Sequence, residues 1–316
     1  MPLIYILRRT GHALIVLMIV SVVTFTIIRL APGGPSLLAD PKLTPAEVAL
    51  IEARLGIDQP IPVQYWRWVT QIARGDLGNS FLYQSGNVET IMTRLPNTLL
   101  LAGVALLVSV LLAVPLGLYS ALRPYGAVDQ ILGVLSLISV SIPVFWLGLL
   151  LIILFAVTLR LLPAGGAFTP GLENDLLDRL RHLVLPVFVL STAGIAEIMR
   201  YTRSSARNVL RMDFVRTARA KGMPESQVRW RHVLRNALIP VVTIIGLQLP
   251  RLVGGAAVTE TIFSWPGMGR LGVEAALSRD YPLIMAITLF VAVAVVAFNL
   301  IVDLIYPLLD PRIQLE

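Results

Sequence analysis

Residues 97–122 read NTLLLAGVALLVSVLLAVPLGLYSAL, a run without one charged side chain. A helix rises about 1.5 Å per residue and the hydrocarbon core of a bilayer is about 30 Å thick, so this run predicts a membrane-spanning helix. Five further stretches meet the same test, near 11–29, 131–158, 183–199, 237–258 and 283–308. Composition agrees with them. Of 316 residues, 56% are apolar and only 14% charged, with a mean hydropathy of +0.78, whereas soluble domains carry charge on roughly a quarter of their residues. The expected fold class is all-α, a polytopic membrane protein with six transmembrane helices.

The first run follows Arg8 and Arg9, as a signal peptide would, but nothing like a small-residue cleavage site follows it, and it reads as a span. Pro115, Pro143, Pro186 and Pro250 fall inside the runs, which predicts kinked helices whose freed carbonyls neighbouring helices satisfy. Orientation comes from the cations. With the N-terminus inside, segments 1–10, 123–130, 200–236 and 309–316 hold 14 basic and 5 acidic residues. The opposite segments, 30–96, 159–182 and 259–282, hold 10 basic and 12 acidic residues over nearly twice the length. The positive-inside rule then places both termini in the cytoplasm. The chain divides into an N-terminus with its first span (1–30), an extracytoplasmic helical cap (31–96), and a transmembrane domain with five further spans (97–316), whose basic loop lies at about 200–236.

The cap carries its own helix signals. Thr44-Pro45-Ala46-Glu47 is a capping box with proline at the first helical position, predicting a helix from about 45 to 55 that stops at Gly56. A second is expected over Val63 to Arg74, with Trp66, Val69 and Ile72 or Ala73 on one face and Gly75 as its stop. Two capped amphipathic helices need a surface to lie against.

Several function classes are excluded by what is missing. The chain has no cysteine, and His12, His182 and His232 are scattered without ligand spacing, which leaves no expected metal or redox centre. Its only lysines, Lys42 and Lys221, follow no GxxxxGK[ST] loop, so ATP chemistry, where it is needed, must come from a partner. Gly33-Gly34, Gly165-Gly166 and Gly254-Gly255 lack nucleotide-binding context and read as turns or close helix packing. Arg29, Glu197 and Asp303 lie near span ends; Arg251 alone lies well inside a span. That pattern provides neither a proton relay nor a catalytic group, and argues against a secondary carrier or a membrane enzyme. An ATP-independent channel or carrier is the competing reading, separable because it would purify alone.

Ten of the 14 inner cations lie between Arg200 and Arg235. There, residues Asp213 to Gly222 read as a short helix with Asp213 at its N-cap and Gly222 just past its end, and Pro224 suits the first turn of a second helix running toward Arg235. Small residues, Ala218 and Ala220, permit close approach, and arginines flank them. On so hydrophobic a chain this helix-turn-helix is not expected to bind nucleic acid, whereas anionic lipid and topology roles are compatible with docking of a protein.

Arg216-Thr217-Ala218-Arg219-Ala220-Lys221-Gly222, followed by Leu234-Arg235-Asn236-Ala237-Leu238-Ile239-Pro240, resembles the dipeptide/oligopeptide permease family of ATP-binding-cassette importers. The likeness runs through essentially the whole chain, from Leu30-Ala31-Pro32-Gly33-Gly34-Pro35 through Gly75-Asp76-Leu77-Gly78-Asn79-Ser80 and Glu260-Thr261-Ile262-Phe263-Ser264-Trp265-Pro266-Gly267 to Leu309-Asp310-Pro311-Arg312. The resemblance implies a multi-pass inner-membrane subunit of the B type, paired with a homologous C-type permease. Two ATPase subunits would bind ATP and magnesium, and an extracytoplasmic binding protein would deliver a peptide or similar small solute. It also implies an ATPase-coupling segment around Asp213, Arg216, Thr217, Ala218, Arg219 and Gly222, with Arg216 and Thr217 standing where many importers carry Glu and Ala. No cofactor of its own is implied, and no bond of the solute is broken. Arg251, where similar chains tend to be apolar, pairs with a carboxylate of a partner helix or lines the route of an anionic group.

Overall fold

The computed structural model describes residues 3–30, 34, 44–254 and 256–309. Among these, helices dominate, and the nearest approach to a sheet is one isolated bridge between Asn79 and Gly86. Helix α1 (Leu3–Leu30) is followed by the cap helices α2 (Pro45–Leu55) and α3 (Ile61–Ala73) and by the long α4 (Asn87–Leu122). Next come α5 (Ala127–Ser141), α6 (Val144–Leu151) with a π-helical continuation (Ile152–Thr158), and α7 (Leu176–Leu210). The hairpin follows as α8 (Asp213–Ala220), α9 (Glu225–Gln227) and a π-helical stretch (Val228–Leu234), leading into α10 (Arg235–Gly254). The short α11 (Ala257–Ile262) and α12 (Met268–Leu277) precede α13 (Tyr281–Leu309).

Four of these helices are long and apolar enough to cross a membrane, within Arg8–Leu30, Asn87–Leu122, Leu176–Leu210 and Tyr281–Val302. The stretch expected as one span at 131–158 departs from that reading: α5 and α6 meet at an angle of 101°. Pro143 explains the break, because its ring disfavours helical geometry in the preceding residue, and Ile142 is extended at φ −78°, ψ 125°. If the bent pair crosses as a unit it is a fifth span. By contrast α4 continues through Pro96 and Pro115, and α7 through Pro186.

Helices α4 and α7, of 36 and 35 residues, each reach about 50 Å and so exceed a bilayer core. They form the principal packing pair of the bundle, and small residues bring them together. A Cβ on Gly117 would stand 2.6 Å from the carbonyl oxygen of Met199, and one on Gly194 would stand 2.8 Å from the hydroxyl of Ser109. That hydroxyl donates to the carbonyls of Ala105 and Ser191, linking the two helices. Such close backbone approach is how helices associate where lipid removes the hydrophobic drive between them. Helix α10 joins through Val241, buried with Ala113, Ile198 and Met199.

The expected capping box forms: Thr44 Oγ1 accepts from the Glu47 amide at 3.3 Å while the Thr44 amide donates to Glu47 Oε2 at 2.8 Å, and Gly56 ends α2 at φ 65°. The surface for the cap helices is the end of α1. Phe25 and Ile28 pack with Tyr281 and Met285 of α13 and with Tyr65 and Trp68 of α3, and the Tyr65 and Ser21 hydroxyls lie 2.8 Å apart. The face of α3 is therefore rotated from the expected one: Tyr65 and Trp68 turn inward while Trp66 is 69% exposed. Tyr65 takes that place because its ring meets Phe25 edge-on at 5.4 Å and its hydroxyl finds Ser21.

Candidate functional site

The basic loop forms the expected hairpin, and its turn is explicit. Helix α7 ends at Leu210, Met212 is extended at φ −72°, ψ 148°, and α8 begins at Asp213. Asp213 is thus the first helical residue rather than the N-cap, and its carboxylate takes part in the 3.4 Å ion pair with Arg216. At the other end Gly222 adopts φ 75°. Its amide donates to the Arg219 carbonyl at 2.9 Å, and the Met223 amide to the Ala218 carbonyl at 3.3 Å, the pair of bonds of a Schellman stop. Pro224 then precedes α9, and its carbonyl accepts from Val228 at 3.1 Å.

The inner face of the hairpin is apolar. Val215 and Ala218 of α8, with Val228 and Val233 of the returning strand of helix, are buried against Leu118 and Ala121 of α4, Ala206 and Val209 of α7, and Ala237 of α10. Each of the four hairpin side chains is at most 5% exposed. Ala218 is therefore part of this chain's own buried apolar cluster and not of the open face. The opposite face is open: Arg216, Thr217, Ala220 and Lys221 are exposed, and nothing stands within 4 Å of a Cβ built on Gly222. Arg219 turns along the hairpin to Glu225, with Nε 2.7 Å from Oε1, and Arg229 approaches the same carboxylate at 3.7 Å. The guanidinium of Arg219, then that of Arg229, hold the Glu225 carboxyl below its ordinary range.

A polar clamp joins α4, α5 and α7 behind the hairpin. Asp129, at the start of α5, accepts from Arg203 Nη2 of α7 at 2.7 Å, from the amide of Tyr125 at 2.9 Å, and from the hydroxyl of Ser120 on α4. Charge-assisted, forked bonds of this kind fix orientation as well as adding energy. Sequence reasoning missed this clamp. The available signal was a lone acid, Asp129, in a short segment between two apolar runs. It also missed two buried carboxylates at the cap end. Glu260 Oε1 accepts from Thr98 Oγ1 and Oε2 from the Arg270 amide, both at 2.9 Å. Asp280 Oδ2 accepts from Ser80 Oγ at 2.6 Å and from the Leu82 amide at 3.0 Å.

Of the residues expected in the coupling segment, Asp213, Arg216, Thr217, Arg219 and Gly222 are exposed on the hairpin, whereas Ala218, expected to meet a partner, is buried in this chain's own apolar cluster. Arg251 lies on α10, well away in sequence, and its side chain is outside the described residues, as are Ala31, Pro32, Gly33 and Asp310 to Arg312 of the terminal motifs.

Long apolar helices with a basic hairpin fixed to their ends define a polytopic membrane protein. The chain belongs to the family described as binding-protein-dependent transport system inner membrane component, whose model matches residues 113–315, and the corresponding N-terminal family model matches residues 2–102. It is accordingly a multi-pass inner-membrane permease subunit of an ATP-binding-cassette importer, not an enzyme in itself. Among its relatives, the oligopeptide transport system permease protein AppB of Bacillus subtilis is 45% identical over 312 residues, covering 98% of this chain and 99% of that one. A putative peptide permease protein of Brucella suis is 41% identical over 314 residues, 98% of each chain. The di/tripeptide transport system permease protein DppB of Pseudomonas aeruginosa is 39% identical over 330 aligned positions, again 98% of each.

Proposed function

We propose that this permease subunit carries peptides, and that the hairpin Asp213–Leu234 is the segment through which separate ATPase subunits drive it. The observation behind this reading is the two-sidedness of the hairpin. One face is buried against α4, α7 and α10, and the other presents Arg216, Thr217, Ala220 and Lys221 to a partner. A displacement applied to the open face reaches the long helices without loss in a soft joint, because packed interiors have low compressibility. Nucleotide binding then shifts the population between inward- and outward-open states through its differential affinity for the two arrangements.

The full reading has six spans, α10 and the bent α5–α6 pair among them, with both termini and the hairpin in the cytoplasm and the cap of residues 31–96 outside. A homologous C-type permease completes the pathway, two ATPases supply ATP and magnesium, and a solute-binding protein delivers the peptide. The names of the relatives support the solute class. The test combines topology with partnership. A reporter fused after residue 90 is expected to score as external and one near Lys221 as cytoplasmic. A tagged chain is expected to bring down ATPase subunits and a second permease, and the reconstituted assembly to take up labelled di- or oligopeptide only with ATP. Purification of the chain alone with ATP-independent uptake overturns the reading.

A further inference from the structure

Beside the hairpin, the ends of α4 and α7 flank an open cavity of about 400 Å³ lined by five arginines, Arg123, Arg207, Arg211, Arg219 and Arg229, and by one acid, Glu225. That carboxylate is already shared between Arg219 and Arg229. The other carboxylates of this end are engaged elsewhere, Asp129 with Arg203 and Asp213 with Arg216. Arg123 lies over the ring of Tyr119 at 5.2 Å and Arg207 over that of Tyr125 at 5.3 Å. Ring faces hold and orient these cations but do not cancel their charge. Five like charges converging on one cavity repel one another unless an anion enters.

The rest of the wall is apolar, formed by Leu122 and Leu210 among others. The cavity opens where the uncharged length of α4 ends at Arg123, with tyrosines alongside, an arrangement found at a membrane–water boundary. A free anion would need only the guanidiniums. A phospholipid headgroup uses both parts, its phosphate accepting forked bonds from arginine and its glycerol and first methylenes meeting the leucines. The residues of the hairpin's open face, Arg216, Thr217 and Lys221, do not line this cavity.

We propose that this cavity is a binding site for the phosphate of an anionic phospholipid headgroup, seated between α4, α7 and the hairpin. Basic pockets between helices on the cytoplasmic side are suited to such headgroups. The inference rests on the chain's membrane location and not on the hairpin's role in coupling.

The test is native mass spectrometry of the assembled transporter titrated with phosphatidylglycerol, with phosphatidylcholine, and with inorganic phosphate as competitor. Wild type is expected to retain phosphatidylglycerol in preference to phosphatidylcholine, and Arg207→Gln with Arg211→Gln to weaken that retention roughly 25-fold, each charge near an anionic surface contributing about a fivefold factor. The charge-conserving Arg207→Lys with Arg211→Lys pair is expected to retain most of the binding and shows that the helices still fold. Equal phosphatidylglycerol binding by wild type and the glutamine pair overturns the proposal. So does loss of ATPase subunits from the glutamine pair with lipid binding unchanged, which would assign these arginines to a protein contact. Displacement of the lipid by millimolar inorganic phosphate would make the occupant a free anion and overturn the lipid assignment. Failure of lipid binding alongside intact ATP-driven uptake leaves the coupling reading standing, so the two are separable.

Discussion

At the hairpin end of the bundle, α8 is held by valines and alanines in one apolar cluster with the returning π-helical stretch and residues of α4 and α7, while at the cap end the apolar packing of α12 through Met268, Leu271 and Ala275 is joined by buried carboxylates. Glu260 is 1% exposed and ties α11 to the Thr98 hydroxyl of α4 and to the first turn of α12. Asp280, fully buried, ties the start of α13 to residues 80–82. Trp265 is threaded between, its indole donating to the Asn97 carbonyl at 3.0 Å, with Asn97 answering through the Pro266 carbonyl at 3.0 Å. Hydrogen bonds to a buried carboxylate are directional and are lost when geometry shifts by an ångström or so. The difference is that the cap end adds hydrogen bonds to buried carboxylates to its apolar packing, whereas the buried face of α8 rests on apolar contacts.

The largest effect expected from breaking this comparison is at the cap end. Glu260→Ala leaves the O–H of Thr98, which still accepts from the Met268 amide, and the N–H of Arg270 without their acceptor, at about 1–3 kcal/mol each. Thermal unfolding of the purified complex should show a loss of about 3 kcal/mol, with accessibility of a reporter cysteine rising at position 266 and unchanged at 216. Equal protection at 266 in the variant would show that Trp265 alone carries the attachment.

Next in size is Ala218→Trp at the hairpin end. Ala218 is 5% exposed among Leu118, Ala121 and Val209, so an indole overpacks this chain's own core at about 3 kcal/mol. The hairpin should lift from α4 and α7, seen as proteolytic cleavage near Lys221, with ATPase association lost as a consequence and the cap unaffected. Retained protection together with lost association would instead mean that Ala218 meets the partner directly.

Gly222→Val separates the turn from the contact. At φ 75° with open space around it, a β-branched residue meets backbone strain of about 1–2 kcal/mol and no steric clash with a neighbour. Uptake should fall several-fold while ATPase subunits remain bound. Full uptake would show that the left-handed stop is not needed for coupling.

Much of this contrast was legible in the sequence because it rests on local signals. The hairpin's Gly222 stop, the Thr44–Glu47 capping box and the long uncharged runs each declare themselves within a few residues. What was not legible depends on distant chain meeting itself. Ala218 reads as small for any neighbour, and only the fold shows that it is buried within this chain's own apolar cluster. Asp129 and Arg203 are 74 positions apart, and Thr98 and Glu260 are 162 apart, with no period that links them. Trp66 and Trp68 are equally apolar, and the choice of inward face fell to Tyr65 and its hydroxyl partner on α1. The break at Pro143 was expected as a kink, but the 101° turn follows from Ile142 becoming extended, which propensity alone does not measure.

The smallest expected effect concerns acid, and it distinguishes the two ends by their exposed carboxylates. At the cap end burial alone would raise the Glu274 carboxyl, but the Tyr83 hydroxyl at 2.7 Å and Arg270 at 2.7 Å outweigh it and hold it below the usual 4.5. At the hairpin end Arg219 lowers Glu225 from the same reference. Both groups therefore have folded values below their unfolded ones, so each contributes stability that is complete above about pH 4.5 and is lost as pH falls through the folded value. Between pH 7 and pH 5 neither of these two carboxylates should change its contribution. Below pH 4.5, in purified complex where both faces meet the buffer, Glu274→Gln should flatten the fall in thermal stability more than Glu225→Gln. Glu274 is the less exposed, with 29% of its side chain accessible against 49% for Glu225, and exposed ion pairs contribute at most about 1 kcal/mol. In sealed vesicles with the cap outside, external acid should reach Glu274 alone, and Glu225→Gln should then change nothing. A response to external acid that Glu225→Gln abolishes would place the hairpin on the acidified side and reverse the orientation on which the coupling reading depends.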